Sequence, residues 1–124
     1  MSEALRGVVV GHGAMAAALI DAAEEISGVD GALTAVSNAG CDRGTLEERI
    51  DAAVGPGPAV VFVDLAAGSC LLAALHRLRD RDGVEVVTGV NLAMLLDFLF
   101  HRSLTVTEAA AHAAASGTKA IRVP

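Results

Sequence analysis

Short apolar runs alternate with longer stretches of helical period along the whole chain. "GVVVG" at Gly7–Gly11, "ALTAVS" at Ala32–Ser37, "AVVFVDL" from Ala59 and "VEVVTGV" from Val84 read as strands, and a β-branched run such as the third suits a sheet buried on both faces. The first helix is predicted from Gly13 to Ile26 and ends at Ser27-Gly28, where glycine accepts the left-handed conformation. Thr45 and Glu48 stand at capping-box spacing, so the second helix is predicted to start near Thr45 and to stop by Gly55-Pro56-Gly57-Pro58. A third spans about Gly68–Arg79, with Leu71, Leu72, Leu75 and Leu78 on one side and Arg77 and Arg79 turned away. Asn91 is a good N-cap for an apolar helix reaching about Arg102. Thr105 and Glu108 form another capping-box pair, opening an Ala-rich helix predicted to stop at Ser116-Gly117; the tail "TKAIRV", residues 118–123, then reads as a final strand.

Alternation of this kind defines an α/β class, a single domain with a parallel sheet and helices on both faces. No linker, repeat or charge block divides it. Open parallel sheets bind ligands at the carboxyl ends of their strands, above all where strand order reverses. In the common order 2-1-3-4, the connections after the first and third strands leave in opposite directions. The resulting crevice holds His12 on one lip and Asp64 on the other.

That pairing suits one chemistry. A neutral imidazole is a nucleophile near pH 7, and a carboxylate on one ring nitrogen fixes the tautomer so that the other presents its lone pair. Helix N-termini after Gly13 and after Gly68-Ser69 aim backbone N–H groups at the same crevice, an environment for a phosphoryl group. Gly11 and Gly13 let the backbone turn sharply around His12. His12 is therefore the candidate phosphate acceptor, Asp64 its orienting carboxylate, and Gly13, Gly68 and Ser69 the candidate phosphate-binding positions.

Composition narrows the partners. The 124 residues are 53% hydrophobic, with no Trp or Tyr and three Phe, so the core is built from Ala, Val, Leu and Ile. Fifteen acidic residues outweigh nine basic ones for a net charge of −6, and no Lys/Arg cluster interleaves with aromatics, so nucleic acid is not an expected partner. Cys41 and Cys70 need no cross-link in a domain of this size, which points to a reducing cytoplasm. The opening "MSEALRG" carries a Glu and leads into too short an apolar run for a secretory leader, and the most apolar window, Ala59–Leu75, is broken by Asp64, Gly68 and Ser69. Direct membrane insertion is not expected.

Blander readings compete at several positions. His76, His101 and His112 read as structural: beside a helix's polar side, near a helix C-terminus, and in an exposed Ala-rich stretch. No pair of His, Cys or carboxylates shows metal-ligand spacing, and no cofactor is expected. Cys70 lacks a cationic neighbour to activate it and reads as a small helix residue. Ser69 serves equally as an N-cap or a phosphate ligand. "GHGAMA" also satisfies the G-x-G-x-x-G/A fingerprint of dinucleotide turns, but the second strand ends "AVSNAG" without an acid for the ribose.

The segments "VVVGHGAMAAALIDAAEEISG", "VVFVDLAAGSCLLAAL" and "VEVVTGVNLAMLLDFLFHR" together resemble the enzyme IIA components of the mannose, fructose and sorbose family of the bacterial phosphoenolpyruvate-dependent sugar phosphotransferase system. The resemblance runs in order along nearly the whole chain. It implies a homodimer in which the last strand, residues 118–123, crosses antiparallel onto the partner's sheet. It also implies that the histidine phosphocarrier protein donates a phosphoryl group to Nε2 of His12, which passes it to a histidine of a separate enzyme IIB, with Asp64 on Nδ1 and Ser69 in the phosphate-binding turn. Two departures stand out. Where the family often has two glycines and then Ser-Pro after the Asp, this chain has Ala67-Gly68-Ser69-Cys70, and where sugar-transporting members often have an aromatic residue two beyond the histidine it has Ala14. A regulatory phosphorelay without transport, or a non-catalytic module binding nucleotides or a partner through the GHGAMA turn, are the alternative uses of the same crevice.

Overall fold

A computed structural model describes residues 4–124. Met1, Ser2 and Glu3, part of the opening read for a leader, lie outside them. Nine elements follow in chain order: β1 Arg6–Gly11, α1 Met15–Ser27, β2 Leu33–Ser37, α2 Arg43–Val54, β3 Ala59–Val63, α3 Ser69–Leu78, β4 Val84–Thr88, α4 Leu92–Leu99 and α5 Val106–Lys119. The four strands form one parallel sheet in the order β2-β1-β3-β4, the common order adopted in placing the crevice. Among the described residues no helix is long and apolar enough to cross a membrane.

Strand order decides which helix covers which face. The chain steps from β1 to β2 and then back past β1 to β3, so right-handed crossovers place α1 on one face and α2 and α3 on the other. Helices α4 and α5 return to the face of α1. Two cores result. Val9, Val60 and Phe62 point into the α1/α4/α5 layer, and Val8, Val10, Val61 and Val63 into the α2/α3 layer, the alternation of a strand that is buried on both sides. The scarcity of aromatics is met by alanine: Ala16, Ala23, Ala109 and Ala113 let the helices approach closely, while Phe62 and Phe98 meet edge to face with centroids 5.4 Å apart.

Several boundaries differ from the sequence reading, each for a physical reason. Helix α2 starts at Arg43 because Asp42 is its N-cap, its side chain accepting from the Thr45 N–H at 2.8 Å; the Thr45/Glu48 capping box does not form. The Thr105/Glu108 box does form, opening α5. On α3 the buried residues are Cys70, Ala73, Ala74 and Leu78, whereas Leu72 and Leu75 are exposed, so the leucines do not share one face of the core.

The largest correction is at the C-terminus. Helix α5 continues through Ser116-Gly117 to Lys119, and no described residue of the tail is in a strand. Gly117 is a packing residue, not a stop: a Cβ there would lie 2.4 Å from Cγ of Met94 and 3.2 Å from Oδ1 of Asn91, and the Gly117 carbonyl accepts from the Asn91 amide at 3.1 Å. Gly117→Ala therefore overpacks the α4–α5 contact. It should cost about 1–3 kcal/mol in denaturant unfolding, and unchanged stability would show that Met94 yields freely.

Candidate functional site

The site is assembled by the sheet's hydrogen-bond ladder running past the strand ends. The Asp64 N–H donates to the Val10 carbonyl at 3.1 Å, Asn38 to Gly11 at 3.3 Å and Val90 to Val63 at 3.1 Å. These bonds carry the loops after β1, β2, β3 and β4 onto one rim. Residues from positions 12, 38 and 64 thereby become neighbours.

On that rim His12 and Asp64 meet. Oδ2 of Asp64 accepts from the His12 backbone N–H at 3.0 Å and lies 2.6 Å from its Nδ1, while Oδ1 accepts from the Leu65 N–H at 2.9 Å. The carboxylate side chain is only 5% exposed and the imidazole 43%, so the acid is buried behind a ring whose other edge faces solvent. Both carboxylate oxygens are satisfied, which is the condition for burying a charge without an isolated-ion penalty. Burial alone would raise the Asp64 pKa, but the His12 side-chain and backbone hydrogen bonds, the charge of the His12 ring and the Leu65 N–H outweigh it, and the carboxyl lies below its ordinary value. With Asp64 ionised, Nδ1 carries the proton and Nε2 presents its lone pair.

The phosphate-binding candidates divide. Ser69 Oγ lies 3.5 Å from Nε2 of His12, and Ser69 opens α3. Gly68, the N-cap, adopts φ 96° with open space where a Cβ would stand, a backbone that other residues rarely take. Ser69 thus stands at the Nε2 edge of the ring, one residue beyond Gly68. Gly13 does not offer its amide, because its N–H donates to Asn38 Oδ1 at 3.2 Å and its carbonyl accepts from Ser37 Oγ at 2.8 Å. Its contribution is the left-handed turn, φ 59°, that presents His12. Helix α1 likewise begins with the Met15 N–H closing back on the His12 carbonyl at 3.3 Å, while Ser69 brings the start of α3 beside Nε2.

One group escaped the sequence reading. Ser37 and Asn38 brace the His12–Gly13 turn from β2, and Arg49 holds that brace by donating to the Ser37 and Ala39 carbonyls, both at 3.1 Å. The signal, polar residues ending β2 beside the first strand's turn, becomes meaningful only once β2 is known to pair with β1. Cys70 is fully buried with Sγ 3.7 Å from Nδ1 of His12. Burial and the neighbouring Asp64 charge push its thiol pKa up, against a lowering from Ser69, so it is a packing residue with no thiolate character.

A three-layered α/β domain that holds one imidazole between a buried carboxylate and solvent at its topological switch point defines the class by fold and by the geometry of the site. Comparison with known proteins narrows the class. The profile of the family described as PTS system fructose IIA component, EIIA-man, matches residues 7–115, and the chain belongs to that family of phosphotransferase-system components. A search of curated proteins gives no match. Among solved structures the chain is similar to the phosphotransferase system component EIIA from Streptococcus agalactiae, with TM-score 0.88, 18% identity and 96% of each chain covered. It is also similar to the mannose/sorbose specific IIA subunit from Enterococcus faecalis, with TM-score 0.82, 24% identity and 98% of this chain and 96% of that one covered. A phosphotransferase-system permease structure from Klebsiella pneumoniae, described as putative, has TM-score 0.85 at 21% identity, covering 99% and 94%. At these identities the structures bear on the fold alone.

Proposed function

We propose that His12 is a transient phosphohistidine: it takes a phosphoryl group from the histidine phosphocarrier protein at Nε2 and passes it to a histidine of an enzyme IIB in sugar uptake. The observation that carries the reading is the 2.6 Å contact between Asp64 and Nδ1 with the ring left 43% exposed. In the forward step the Nε2 lone pair forms the new N–P bond as the donor's N–P bond breaks, and the donor ring recovers that electron pair. The proton on Nδ1 stays directed at Asp64, whose charge stabilises the positive ring as it develops. The phosphoryl oxygens come to lie beside Ser69 Oγ and the first N–H groups of α3, where the helix dipole favours negative charge.

A protein partner is supported by the apolar side chains at the rim. Met15, Leu65 and Leu72, at 38%, 58% and 53% exposure, stand at the start of α1, one residue after Asp64 and in the first turn of α3. The dinucleotide alternative is weakened by the Gly13 amide, which is spent on Asn38 and so is closed to a pyrophosphate.

Incubation with phosphoenolpyruvate, enzyme I and the phosphocarrier should add one phosphate by intact mass, in an acid-labile and base-stable bond. No adduct from a donor mixture shown to be active would reject the reading. Repeating the reaction with a purified IIB and a non-transport phosphorelay acceptor separates the two uses of the phosphate.

The homodimer is part of the proposal. Every residue of the edge strand β4 is partly exposed, and Ile121 and Val123 in the tail are 78% and 99% exposed, so a free sheet edge and a free alternating segment are both present to be paired. Deleting residues 121–124 leaves α5 whole and should convert a dimer to monomer or aggregate in sedimentation. A well-behaved truncated dimer would show that the tail does not join the subunits.

A further inference from the structure

Away from the His12 crevice, one other set of three metal-ligating side chains converges among the described residues: Asp97 on α4, His101 just beyond that helix, and His112 on α5. The Asp97 side chain is 9% exposed and acts as the hub. Nδ1 of His112 lies 2.8 and 2.9 Å from its two carboxylate oxygens. Nδ1 of His101 lies 3.5 Å from Oδ1 and 2.7 Å from the Asp97 carbonyl oxygen. Ser116 Oγ donates to Oδ1 at 2.7 Å, and the two imidazole rings lie 4.1 Å apart between centroids with a 35° tilt.

We propose that Asp97, His101 and His112 bind one divalent ion of the zinc class, with a fourth position open to solvent. Two imidazoles and one carboxylate are the donor set of borderline ions such as Zn²⁺; Mg²⁺ and Ca²⁺ demand oxygen ligands. Ligand bonds of about 2.0–2.1 Å in a tetrahedron set donor atoms about 3.3 Å apart, and the 2.8 and 3.5 Å separations to Oδ1 bracket that spacing. His112 is already aimed. His101 gives up its bond to the Asp97 carbonyl and turns Nδ1 toward the ion. Each neutral ring moves its proton from Nδ1 to Nε2 through solvent, so the lone pair that meets the metal is exposed without oxidation or reduction. Ser116 fixes the carboxylate from behind, as outer-shell donors do in metal sites. Rings that are 37% and 49% exposed leave a path for the ion to enter.

Sequence spacing alone misses this site because its ligands come from two elements. Asp97/His101 and His112/Ser116 are each four residues apart, ordinary helix pairs until α4 and α5 pack together. A bound ion ties the last turns of α5 to α4, next to the Asn91–Gly117 bond, and so stiffens the base of the tail.

The test is calorimetric titration of ZnCl₂ into the full chain carrying His12→Ala, which dismantles the other candidate ligand group, His12, Asp64 and Cys70. One equivalent should bind, and the unfolding temperature should rise with zinc concentration as binding to the folded state requires. Adding His101→Ala or His112→Ala should weaken binding by at least about 10-fold, and Ser116→Ala by about 10-fold. Acidification should release the ion, because protons compete for the imidazoles. Thermal melts of the metal-free variants confirm folding, and both histidines are exposed enough to be replaced without opening the core. Absence of saturable zinc binding in His12→Ala, or binding that survives both histidine substitutions, overturns the proposal.

Discussion

His12→Ala should take up no phosphate from an active phosphocarrier, while His76→Ala, His101→Ala and His112→Ala should each still gain one phosphate per chain, as intact mass would read. The expectation is sharp because an Nδ1–carboxylate contact is not unique to His12. His76 has Glu47 at 2.8 Å and His112 has Asp97 at 2.8 Å. Those rings lie on helix flanks. Among the described residues only His12 combines the contact with a helix N-terminus, the Ser69 hydroxyl at Nε2 and the open space over Gly68, a cradle suited to a doubly charged group. Phosphate persisting in His12→Ala would move the acceptor elsewhere and with it the whole reading of the crevice.

Asp64→Ala should slow phosphorylation by about 10²- to 10⁴-fold without abolishing it, the range expected when the carboxylate that orients a reacting histidine is lost. Three things go at once: the tautomer preference, the orientation fixed by the 2.6 Å bond, and the negative charge facing the ring as it turns positive. Asp64→Asn separates them, since an amide oxygen can still accept from Nδ1 but brings no charge. Rapid-quench measurement of phosphohistidine decides the matter, and a wild-type rate in Asp64→Ala would remove the carboxylate from the mechanism. Stability carries a matching pH signature. The Asp64 pKa is depressed in the folded protein, so its contribution is fully present above the ordinary 3.8 and is withdrawn as pH falls through the lower folded value. The stability gap between wild type and Asp64→Asn should therefore narrow in acid, as denaturant unfolding at a series of pH values would show.

Most of the architecture was legible along the chain because each strand is short, apolar and flanked by helical periods, a pattern that only a covered parallel sheet satisfies. His12 and Asp64 could be paired before any coordinates, since strand order 2-1-3-4 forces their loops together. Where the reading failed, a local rule lost to packing. Gly117 looked like a helix stop but is an α-helical position that Met94 presses against. The Thr45/Glu48 capping box was outcompeted by Asp42, whose carboxylate caps the helix from three residues earlier. Asn38, which takes up the Gly13 N–H, was invisible as a neighbour until β2 was laid beside β1.

By itself, then, the order of residues determined the class of fold and singled out His12 and Asp64 as a pair, because periodicity and strand-end chemistry are local properties. Tertiary structure alone decided that Asn38 takes up the Gly13 amide, that Ser37 and Arg49 brace the turn, and that Asp97, His101 and His112 share one corner. Those facts depend on distances between elements far apart in the chain, set by how closely small residues let the helices and sheet approach.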